Sequence, residues 1–260
     1  ISAGVQSFHE DDLKFLTRIH NRQTAIDTVH NVIAAGIDNI NIDLIFNLPG
    51  QTKKQWLQNL EQAVNLPVKH ISAYSLILER GTILNKMVLN GEVEIQDEDY
   101  DAGLYKITID FLEQHGFRQY EVSNFAKPGF ECRHNNAYWQ YHEYISFGPS
   151  AHSFANNKRW WNFSSLKKYI NEIKTCRYAC AGFEELSDEQ KLDEYVMLAL
   201  RSSGINIKEL KNNFGDGWLN DKNYYIKTLA DENFLIYDEE RIKLTKKGYA
   251  VCDEILSKIL

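Results

Sequence analysis

Stretches in which small, apolar and polar residues alternate recur along the first half of the chain, separated by amphipathic stretches. Alternation with a period of two predicts strands, and apolar residues spaced three and four apart predict helices. We therefore predict strands over residues 1–8, 39–46 and 70–76, with helices over 22–35 and 53–66 between them. Strands and helices in this order indicate βαβ units, because parallel strands need crossover connections.

The opening segment, residues 1–8, has the pattern of a strand from the middle of a βα barrel or sheet. It has no initiator Met and no preceding helix, so we expect the chain to be the C-terminal part of a longer protein. Parallel strands place their carboxyl ends at one edge, where binding residues collect. The polar residues predicted near that edge are Gln6, Asp43 and Ser75.

The pattern changes after Gly81. The predicted elements there are a long helix over 97–115, a strand over 119–123, an aromatic-rich loop over 124–144 and a short strand over 144–147. Helices follow over 188–201, 206–214, 221–231 and 246–260, with strands over 234–237 and 241–244. Helices closed by a small hairpin are typical of winged-helix domains. Because this segment is rich in Asp and Glu, it favours a structural lid or docking role over nucleic-acid binding.

The composition narrows the classes of protein. With 260 residues, 43% of them hydrophobic, the chain can bury the core of one large domain or two smaller ones. A net charge of −7 argues against nucleic acid as a partner, because phosphate binding needs a positively charged surface. Four cysteines do not make a disulfide scaffold, and no apolar run is long enough to span a membrane. We therefore expect a cytoplasmic protein.

Six motifs occur along the chain in a fixed order. They are Gly4-Val-Gln-Ser-Phe8, Arg18-Ile-His20, the segment 41–52 (NIDLIFNLPGQT), His70-Ile-Ser-Ala-Tyr74, Tyr120-Glu-Val-Ser-Asn-Phe125 and His134-Asn-Asn-Ala-Tyr-Trp139. Together they resemble the oxygen-independent coproporphyrinogen III oxidase-like radical SAM family, and within it the haem chaperone branch, HemW. Each motif alone is weak, but their joint order over nearly the whole chain is specific.

The resemblance implies an α/β fold in two parts. Residues 1–178 would form the C-terminal half of a radical SAM (β/α)6 partial barrel with a coproporphyrinogen-oxidase-like extension. Residues 179–260 would form a small helical, winged-helix-like domain of the HemN type. The family's Cys-x3-Cys-x2-Cys motif, which holds a [4Fe-4S] cluster, would lie upstream of Ile1. Cys176 and Cys180 lack a third cysteine and are expected to be two free thiols, so this segment alone is not expected to cleave S-adenosylmethionine (SAM).

The resemblance also implies a SAM site. Gln6, Arg18 and Asp43 match positions that contact SAM in the oxidase family. A carboxylate can accept hydrogen bonds from ribose hydroxyls, an amide can donate and accept, and a guanidinium can pair with a carboxylate. From the residues alone, Asp43 could instead cap a turn, Arg18 form a surface ion pair and Gln6 close a barrel layer. Backbone near Ile77 and over 148–152 is expected to line the same cavity.

Two positions depart from the family pattern. Asn47 replaces the usual Gly before Leu-Pro-Gly-Gln-Thr, and Thr17 replaces a commoner Gly before Arg18. Asn is the residue that best replaces Gly in a left-handed turn, so the fold should tolerate Asn47. The substitution at Thr17 leaves the position of Arg18 open.

The His-Asn-x-x-Tyr-Trp motif is associated with haem binding in the chaperone branch. His134 is the candidate axial ligand, since neutral imidazole binds haem iron, and the aromatic residues of the motif could stack on the porphyrin. Alternatively, His134 hydrogen-bonds a loop and the aromatic residues belong to the core. Cys132 is a second candidate ligand, as a thiolate, whereas His152 is expected in the cofactor wall or in a structural role.

The resemblance thus predicts a haem chaperone that delivers haem to acceptors such as membrane-bound respiratory proteins, with SAM and the cluster as assisting cofactors. The alternative is the enzyme of the same family, which oxidatively decarboxylates two propionate side chains of coproporphyrinogen III in porphyrin biosynthesis. A third hypothesis is a winged-helix regulator that senses haem or SAM. It predicts a basic recognition helix, and residues 208–213 are mixed in charge.

Overall fold

The computed structural model describes residues 1–260, which divide into two compact units. The first unit comprises residues 1–131 and 245–251, and the second comprises 132–244 and 252–260. The domain boundary expected from the family, between residues 178 and 179, stays a prediction.

The first unit alternates strands and helices over most of its length. Its elements are β1 (Ser2–Gln6), α1 (Glu10–Phe15), α2 (Arg22–Ala34), β2 (Asn41–Phe46), α3 (Lys53–Val64), β3 (His70–Ser75), α4 (Ile83–Leu89), α5 (Glu98–Gln114), β4 (Arg118–Gln119), β5 (Asn124–Ala126) and the late helix α11 (Lys246–Tyr249). The strands form one sheet in the order β1-β2-β3-β5-β4. The pairs β1–β2 and β2–β3 are parallel, as the βαβ pattern predicts, whereas β5 runs antiparallel to β3 and β4.

The helices cover one face of this sheet and build the core of the first unit. Phe46 of β2 lies 5.3 Å from the ring of Trp56 in α3 and 6.3 Å from that of Tyr105 in α5. Trp56 is fully buried, and its Nε1 donates a hydrogen bond of 2.8 Å to the hydroxyl of Thr108. Because a buried indole of this kind contributes several kcal/mol, about 3–5 for truncation to Ala, this cluster fixes both helices against β2.

A buried polar network joins the first and second βα connections. The carboxylate of Asp12 accepts hydrogen bonds from the hydroxyl of Ser7 at 2.7 Å and from Nε2 of Gln51 at 3.0 Å. The side-chain oxygen of Asn59 in α3 accepts a hydrogen bond of 2.7 Å from the backbone N–H of Phe8. The family motif residue Gln51 is thus structural, since it bonds to the start of α1 rather than facing solvent.

The prediction of one strand over residues 119–123 is wrong, because only Gln119 of this range lies in a strand, β4. The chain turns there instead, because the backbone N–H of Ser123 donates to the carboxylate of Glu121 at 3.1 Å and Tyr120 N–H donates to the carbonyl of Asn124 at 3.2 Å. The result is the short hairpin β4–β5. The side chain of the buried residue Glu121 stabilises this turn. An alternation of apolar and polar residues does not predict such a hydrogen bond.

The second unit contains two antiparallel sheets and six helices. Its elements are α6 (Arg133–Trp139), β6 (His152–Ala155), β7 (Lys158–Asn162), α7 (Leu166–Cys176), β8 (Cys180–Glu185), α8 (Asp188–Leu200), β9 (Ile205–Asn206), α9 (Ile207–Phe214), α10 (Gly217–Asp231), β10 (Leu235–Tyr237), β11 (Arg241–Leu244) and α12 (Cys252–Ile259). The sheets have the orders β6-β7-β8 and β10-β11-β9. Helices α8 to α10 are followed by the antiparallel hairpin β10–β11, which is the order of elements from which a winged-helix-like domain is predicted.

Three local predictions for this region need correction. The strand predicted over 144–147 reduces to one bridge between Tyr144 and Phe154. The loop predicted over 124–144 contains the helix α6, and the single helix predicted after residue 246 is two, α11 and α12. Short elements of this kind have too few residues for a periodic pattern to be visible. None of the helices combines the length and the apolar character that a membrane-spanning segment needs.

Candidate functional site

Polar side chains line the face of the first sheet opposite the buried helix-facing side chains. We call this the polar face and define it by Ser2, Asn41, Asp43, His70, Ser72 and Tyr74. The parallel pairing of β2 with β3 places Asn41 beside His70 and Asp43 beside Ser72. The alternate residues of β2, Ile42, Leu44 and Phe46, are buried. The period of two therefore gives β2 one apolar side and one polar side.

Asp43 lies in the middle of β2, not at its carboxyl end as predicted. Its Oδ1 accepts a hydrogen bond of 2.7 Å from the amide of Asn41, and its Oδ2 accepts one of 3.3 Å from the hydroxyl of Ser2. A mid-strand position excludes the turn-capping alternative. Because a carboxylate can accept about four hydrogen bonds, Asp43 retains acceptor sites for a ligand.

Gln6 ends β1 with a φ of 68°, in the left-handed region. Its side chain folds back over Gly4, where a Cβ atom would come within 2.7 Å of the Gln6 amide nitrogen. Gly4 thus provides the space that the amide of Gln6 occupies. The family sequence Gly-Val-Gln is explained by this contact, since any larger residue would displace the amide.

Arg18 follows the first helix, and its backbone N–H donates to the carbonyl of Leu13 at 2.9 Å. Thr17 has a φ of 53°, and its backbone N–H donates to the carbonyl of Lys14. The helix therefore ends in a Schellman motif with Thr17 in the position that glycine usually takes. The turn that Gly would favour is therefore formed. The guanidinium of Arg18 is exposed and makes no ion pair, so the surface ion-pair alternative is not supported.

Ser75 does not belong to the polar face. Its hydroxyl donates to Asp101 of α5 at 2.6 Å, and burial raises the pKa of that carboxyl despite this bond. Ser75 therefore contacts the helix layer, because it is one residue out of phase with Ser72 and Tyr74. Ile77, whose backbone is predicted to line the SAM cavity, is 78% exposed just after β3. That prediction stays untested.

Sequence reasoning missed a buried acid at the edge of the polar face. Glu121 is fully buried, and burial raises the pKa of its carboxyl, opposed by hydrogen bonds from Ser123 and Asn124. Burial also raises the pKa of Tyr74, whose hydroxyl is near Ser72 and Asn124. The signal in the sequence is the motif Tyr-Glu-Val-Ser-Asn, in which a carboxyl sits between apolar residues. The Glu121 carboxyl closes the hairpin through Ser123, and its charge, like that of Asp43, contributes to the raised pKa of Tyr74.

The candidate haem ligand lies in the second unit. His134 is on α6, and its exposed ring meets Tyr138 edge-on at 4.9 Å. Tyr138 in turn lies 4.6 Å from the ring of Tyr144. Neither ring nitrogen of His134 is hydrogen-bonded to the protein, so the loop-bonding alternative is not supported. Helix α6 ends at Trp139 and is followed by a Schellman turn, in which Tyr141 has a φ of 59° and the backbone N–H of His142 donates to the carbonyl of Ala137.

A cavity of about 700 Å³ in the second unit lies next to this motif. Trp139 of α6 lines it together with Tyr195 of α8, Asn206 of β9 and Arg241 of β11. Burial beside Glu209 raises the pKa of Tyr195 to about 12, which keeps its hydroxyl protonated. The indole of Trp139 thus borders a cavity. The alternative, in which the aromatic residues of the motif belong to the core, would require it to be packed there.

The other candidate residues of the second unit have local roles. Cys132 is half-buried and precedes α6 as its N-cap residue. The Nδ1 of His152 is 3.0 Å from the carbonyl of Ser150, and its ring is 5.9 Å from that of Trp161, which fits a structural role. Cys176 and Cys180 form no disulfide. No group of three His, Cys, Asp or Glu side chains could hold a metal ion, so the residues here do not fit as cluster ligands.

Comparisons with known proteins identify relatives along the whole chain. The family model of the HemN C-terminal domain matches residues 186–251. The heme chaperone HemW of Bacillus subtilis is 31% identical over 264 residues, which cover 100% of this chain and 69% of the relative. The heme chaperone HemW of Lactococcus lactis is 33% identical over 261 residues and covers 100% and 68%.

Two further comparisons extend the likeness. The mitochondrial radical S-adenosyl methionine domain-containing protein 1 of Danio rerio is 33% identical over 277 residues, covering 100% of this chain and 61% of that protein. The structure of coproporphyrinogen III oxidase (HemN) from Escherichia coli, a radical SAM enzyme, matches with a TM-score of 0.79 at 18% identity. It covers 99% of this chain and 63% of that chain, and at this identity it shows the fold alone.

The α/β fold predicted from the motifs is thus confirmed, since the first unit's sheet and the C-terminal helices match the HemN structure over nearly the whole chain. The polar face and helix α6, which carries the His-Asn-x-x-Tyr-Trp motif, hold most of the candidate site residues. On the identity of about one third shared along its full length with the relatives from Bacillus subtilis and Lactococcus lactis, the chain belongs to the HemW family of radical SAM proteins.

Proposed function

We propose that the protein is a haem chaperone, which binds haem and passes it to acceptor proteins. The observation that carries this proposal is the identity of 31% and 33%, over the whole chain, to two proteins named heme chaperones. The chain spans about two thirds of their length, so the role is proposed for the protein of which this chain is a part.

His134 is the proposed axial ligand of the haem iron. Three features support this role: the imidazole is exposed, its ring nitrogens are not hydrogen-bonded to protein groups, and Tyr138 holds it edge-on. Neutral imidazole is a good ligand for haem iron. Trp139 faces the neighbouring cavity, where an aromatic ring can stack on a flat ligand.

Gln6, Arg18 and Asp43 are the proposed contacts to SAM. Asp43 has free acceptor capacity for hydroxyl groups, Gln6 offers an amide that Gly4 leaves room for, and Arg18 carries an unpaired guanidinium suited to a carboxylate. SAM bound next to a reduced [4Fe-4S] cluster supplies radical chemistry. This chain contributes polar contacts to SAM and no cluster ligands, so we derive no step through the cluster.

The fold does not favour the alternative function, coproporphyrinogen III oxidation. The likeness to the Escherichia coli oxidase is 18% in identity, and one fold supports many activities. Anaerobic turnover of coproporphyrinogen III by the full-length protein with its cluster and SAM would overturn the chaperone proposal. Absence of turnover, together with saturable haem binding, is the expected result.

Haem titration of the full-length protein tests the proposal directly. The Soret band should saturate at one haem per protein, and His134→Ala should weaken binding at least tenfold. His30→Ala is the matched control, since His30 is also an exposed histidine on a helix, α2, and should bind haem like the wild type. Cys132→Ser tests the thiolate alternative. Equal binding by His134→Ala and the wild type would remove His134 from the site, and loss only in Cys132→Ser would assign the cysteine.

Delivery completes the proposed function. We place the protein in the cytoplasm, with membrane-bound, haem-accepting respiratory proteins as its partners and no role in binding nucleic acid. Protein loaded with isotope-labelled haem should transfer the label to acceptor-containing membrane vesicles faster than free haem enters them. Transfer that is no faster than from an unrelated haem-binding protein would overturn delivery while leaving haem binding intact.

A further inference from the structure

The geometry points to His70 as a positioning residue: we propose that a chain of hydrogen bonds from Tyr120 through His70 and Asn41 orients the carboxylate of Asp43 toward its ligand. The inference rests on the proposed role of Asp43 in SAM binding and adds three residues to that site. None of the three was a candidate from the sequence.

The series from Tyr120 to Asp43 consists of three short hydrogen bonds. The hydroxyl of Tyr120 lies 2.7 Å from Nε2 of His70, and Nδ1 of His70 lies 2.7 Å from Oδ1 of Asn41. Nδ2 of Asn41 donates at 2.7 Å to Oδ1 of Asp43. The links come from β2, β3 and the β4–β5 hairpin, so the chain joins neighbouring parts of one sheet.

The direction of every hydrogen bond follows from the last one. A carboxylate only accepts, so Asn41 must turn its NH2 group to Asp43 and its oxygen to His70. His70 must then carry its proton on Nδ1, which leaves the Nε2 lone pair to accept from the Tyr120 hydroxyl. All donors therefore point toward Asp43, and bonds aligned in this way strengthen one another.

Asn41 also acts on the second oxygen of the carboxylate. Its Nδ2 lies 2.8 Å from the hydroxyl of Ser2, which donates to Oδ2 of Asp43 at 3.3 Å. One amide group thus fixes Oδ1 directly and Oδ2 through Ser2. Two fixed oxygens determine the plane of the carboxylate, and a carboxylate held in one plane loses less entropy when a ligand binds.

Burial keeps His70 in the neutral state that this series of hydrogen bonds requires. His70 is 5% exposed, and desolvation lowers its pKa to about 4, although the nearby carboxyls of Asp43 and Glu131 favour the protonated form. The neutral ring has one donor and one acceptor, which match Asn41 and Tyr120. The imidazole therefore transmits orientation and is not itself a proton donor to the ligand.

SAM binding to the full-length, cluster-loaded protein, measured by equilibrium dialysis with labelled SAM, tests the inference. His70→Leu should raise the Kd about tenfold, because the Asn41 amide loses its fixed orientation. His70→Asn should restore most of the affinity, since its amide can replace Nδ1–H as donor to Asn41. His115→Leu is the matched control. His115 lies in the same unit and its ring hydrogen-bonds only the carbonyl of Phe111, so the Kd of this variant for SAM should equal that of the wild type.

NMR provides a readout that does not depend on activity. In ¹⁵N-histidine-labelled protein, His70 should be the neutral Nδ1–H tautomer, and Tyr120→Phe should shift its Nε2 resonance. Tyr120→Phe removes one oxygen, so it tests the chain even if His70→Leu fails to fold. An Nε2–H tautomer, or variants that lower the unfolding temperature while leaving the Kd for SAM unchanged, would overturn the positioning role.

Asp43→Asn separates the two proposals. If this variant binds SAM as tightly as the wild type, the SAM role of Asp43 fails, and the positioning inference is overturned with it. If Asp43→Asn weakens SAM binding but His70→Leu and Tyr120→Phe do not, only the positioning inference is overturned. Weakening in all three supports both.

Discussion

Thr17 and Asn47 occupy left-handed backbone positions that favour glycine, with φ of 53° and 60°. Asn tolerates this region, as expected from its short polar side chain, so the turn after β2 is formed at little cost. Thr is β-branched and is an outlier there. The helix end at Thr17 is nevertheless kept, because the hydrogen bond from Arg18 to Leu13 closes it.

Replacing Thr17 with Gly should therefore stabilise the protein. Gly removes the clash of a Cβ in the left-handed region but is more flexible in the unfolded chain, so we expect a net gain of about 0.5–1 kcal/mol. Thermal unfolding checks this expectation, with Arg22→Gly at the start of α2 as a destabilising comparison. A lower unfolding temperature for Thr17→Gly would show that its side chain contributes more than its strain costs.

Gly4→Ala should separate stability from SAM binding. The added Cβ would meet only the mobile end of the Gln6 side chain, at 2.7 Å, so the sheet should keep its stability within about 1 kcal/mol. The Gln6 amide must move, and SAM binding should weaken severalfold. Dialysis and thermal unfolding of the same samples measure both. Unchanged affinity would indicate that Gln6 does not contact SAM.

Among the elements, α3 shows how a family motif specifies a helix start. Thr52 accepts from Gln55 N–H, and the Gln55 side chain accepts from Thr52 N–H at 2.8 Å, which is a complete capping box. Pro49 and Gly50 precede it and end the β2 connection. The boundary of α3 was predictable because the residues that fix it are adjacent in sequence.

Thr52→Ala should destabilise the first unit by about 1 kcal/mol, because the backbone N–H of Gln55 loses its partner. Thr52→Ser keeps a hydroxyl and serves as the control, with a loss of less than about half that amount. Urea unfolding followed by circular dichroism gives both values. Equal losses in the two variants would mean that the methyl group, not the cap, is what Thr52 contributes.

Strands β2 and β3, unlike the start of α3, depend on a pairing between residues far apart in the sequence. Their alternation predicts which residues share a face, and Asp43, Ser72 and Tyr74 do share one. The register between the two strands places Asn41 beside His70, and no local pattern contains that pairing. Likewise α6, with seven residues, is too short to be recognised by periodicity, so His134 was assigned to a loop.

At the scale of the whole molecule, burial of His70 makes stability depend on pH. The pKa of His70 is about 4 in the folded protein, against the ordinary histidine value of 6.5 in the unfolded chain, so the unfolded chain binds more protons between these values. Stability should therefore fall as the pH decreases from about 6.5 to 4, by about 1.4 kcal/mol per pH unit and on the order of 3 kcal/mol in total.

Chemical denaturation at several pH values tests this dependence. The difference between the wild type and His70→Asn isolates the histidine, which matters because Glu121, with its raised pKa, contributes in the opposite direction. The difference should shrink as the pH falls and level off below about 4. A difference independent of pH would show that folding does not shift the pKa of His70, and a difference that grows as the pH falls would show that the folded protein favours the protonated ring.

The sequence by itself determined the βαβ order, the helix caps and the family, because these depend on neighbouring residues and on the order of motifs. Only the tertiary structure decided that Asp43 lies mid-strand, that Ser75 faces the helices and that Tyr120, His70 and Asn41 converge on one carboxylate. Strand register and the turn at Glu121 bring together residues 29 and 50 positions apart. Such contacts depend on the packing of the whole sheet, so a pattern read over a few residues does not contain them.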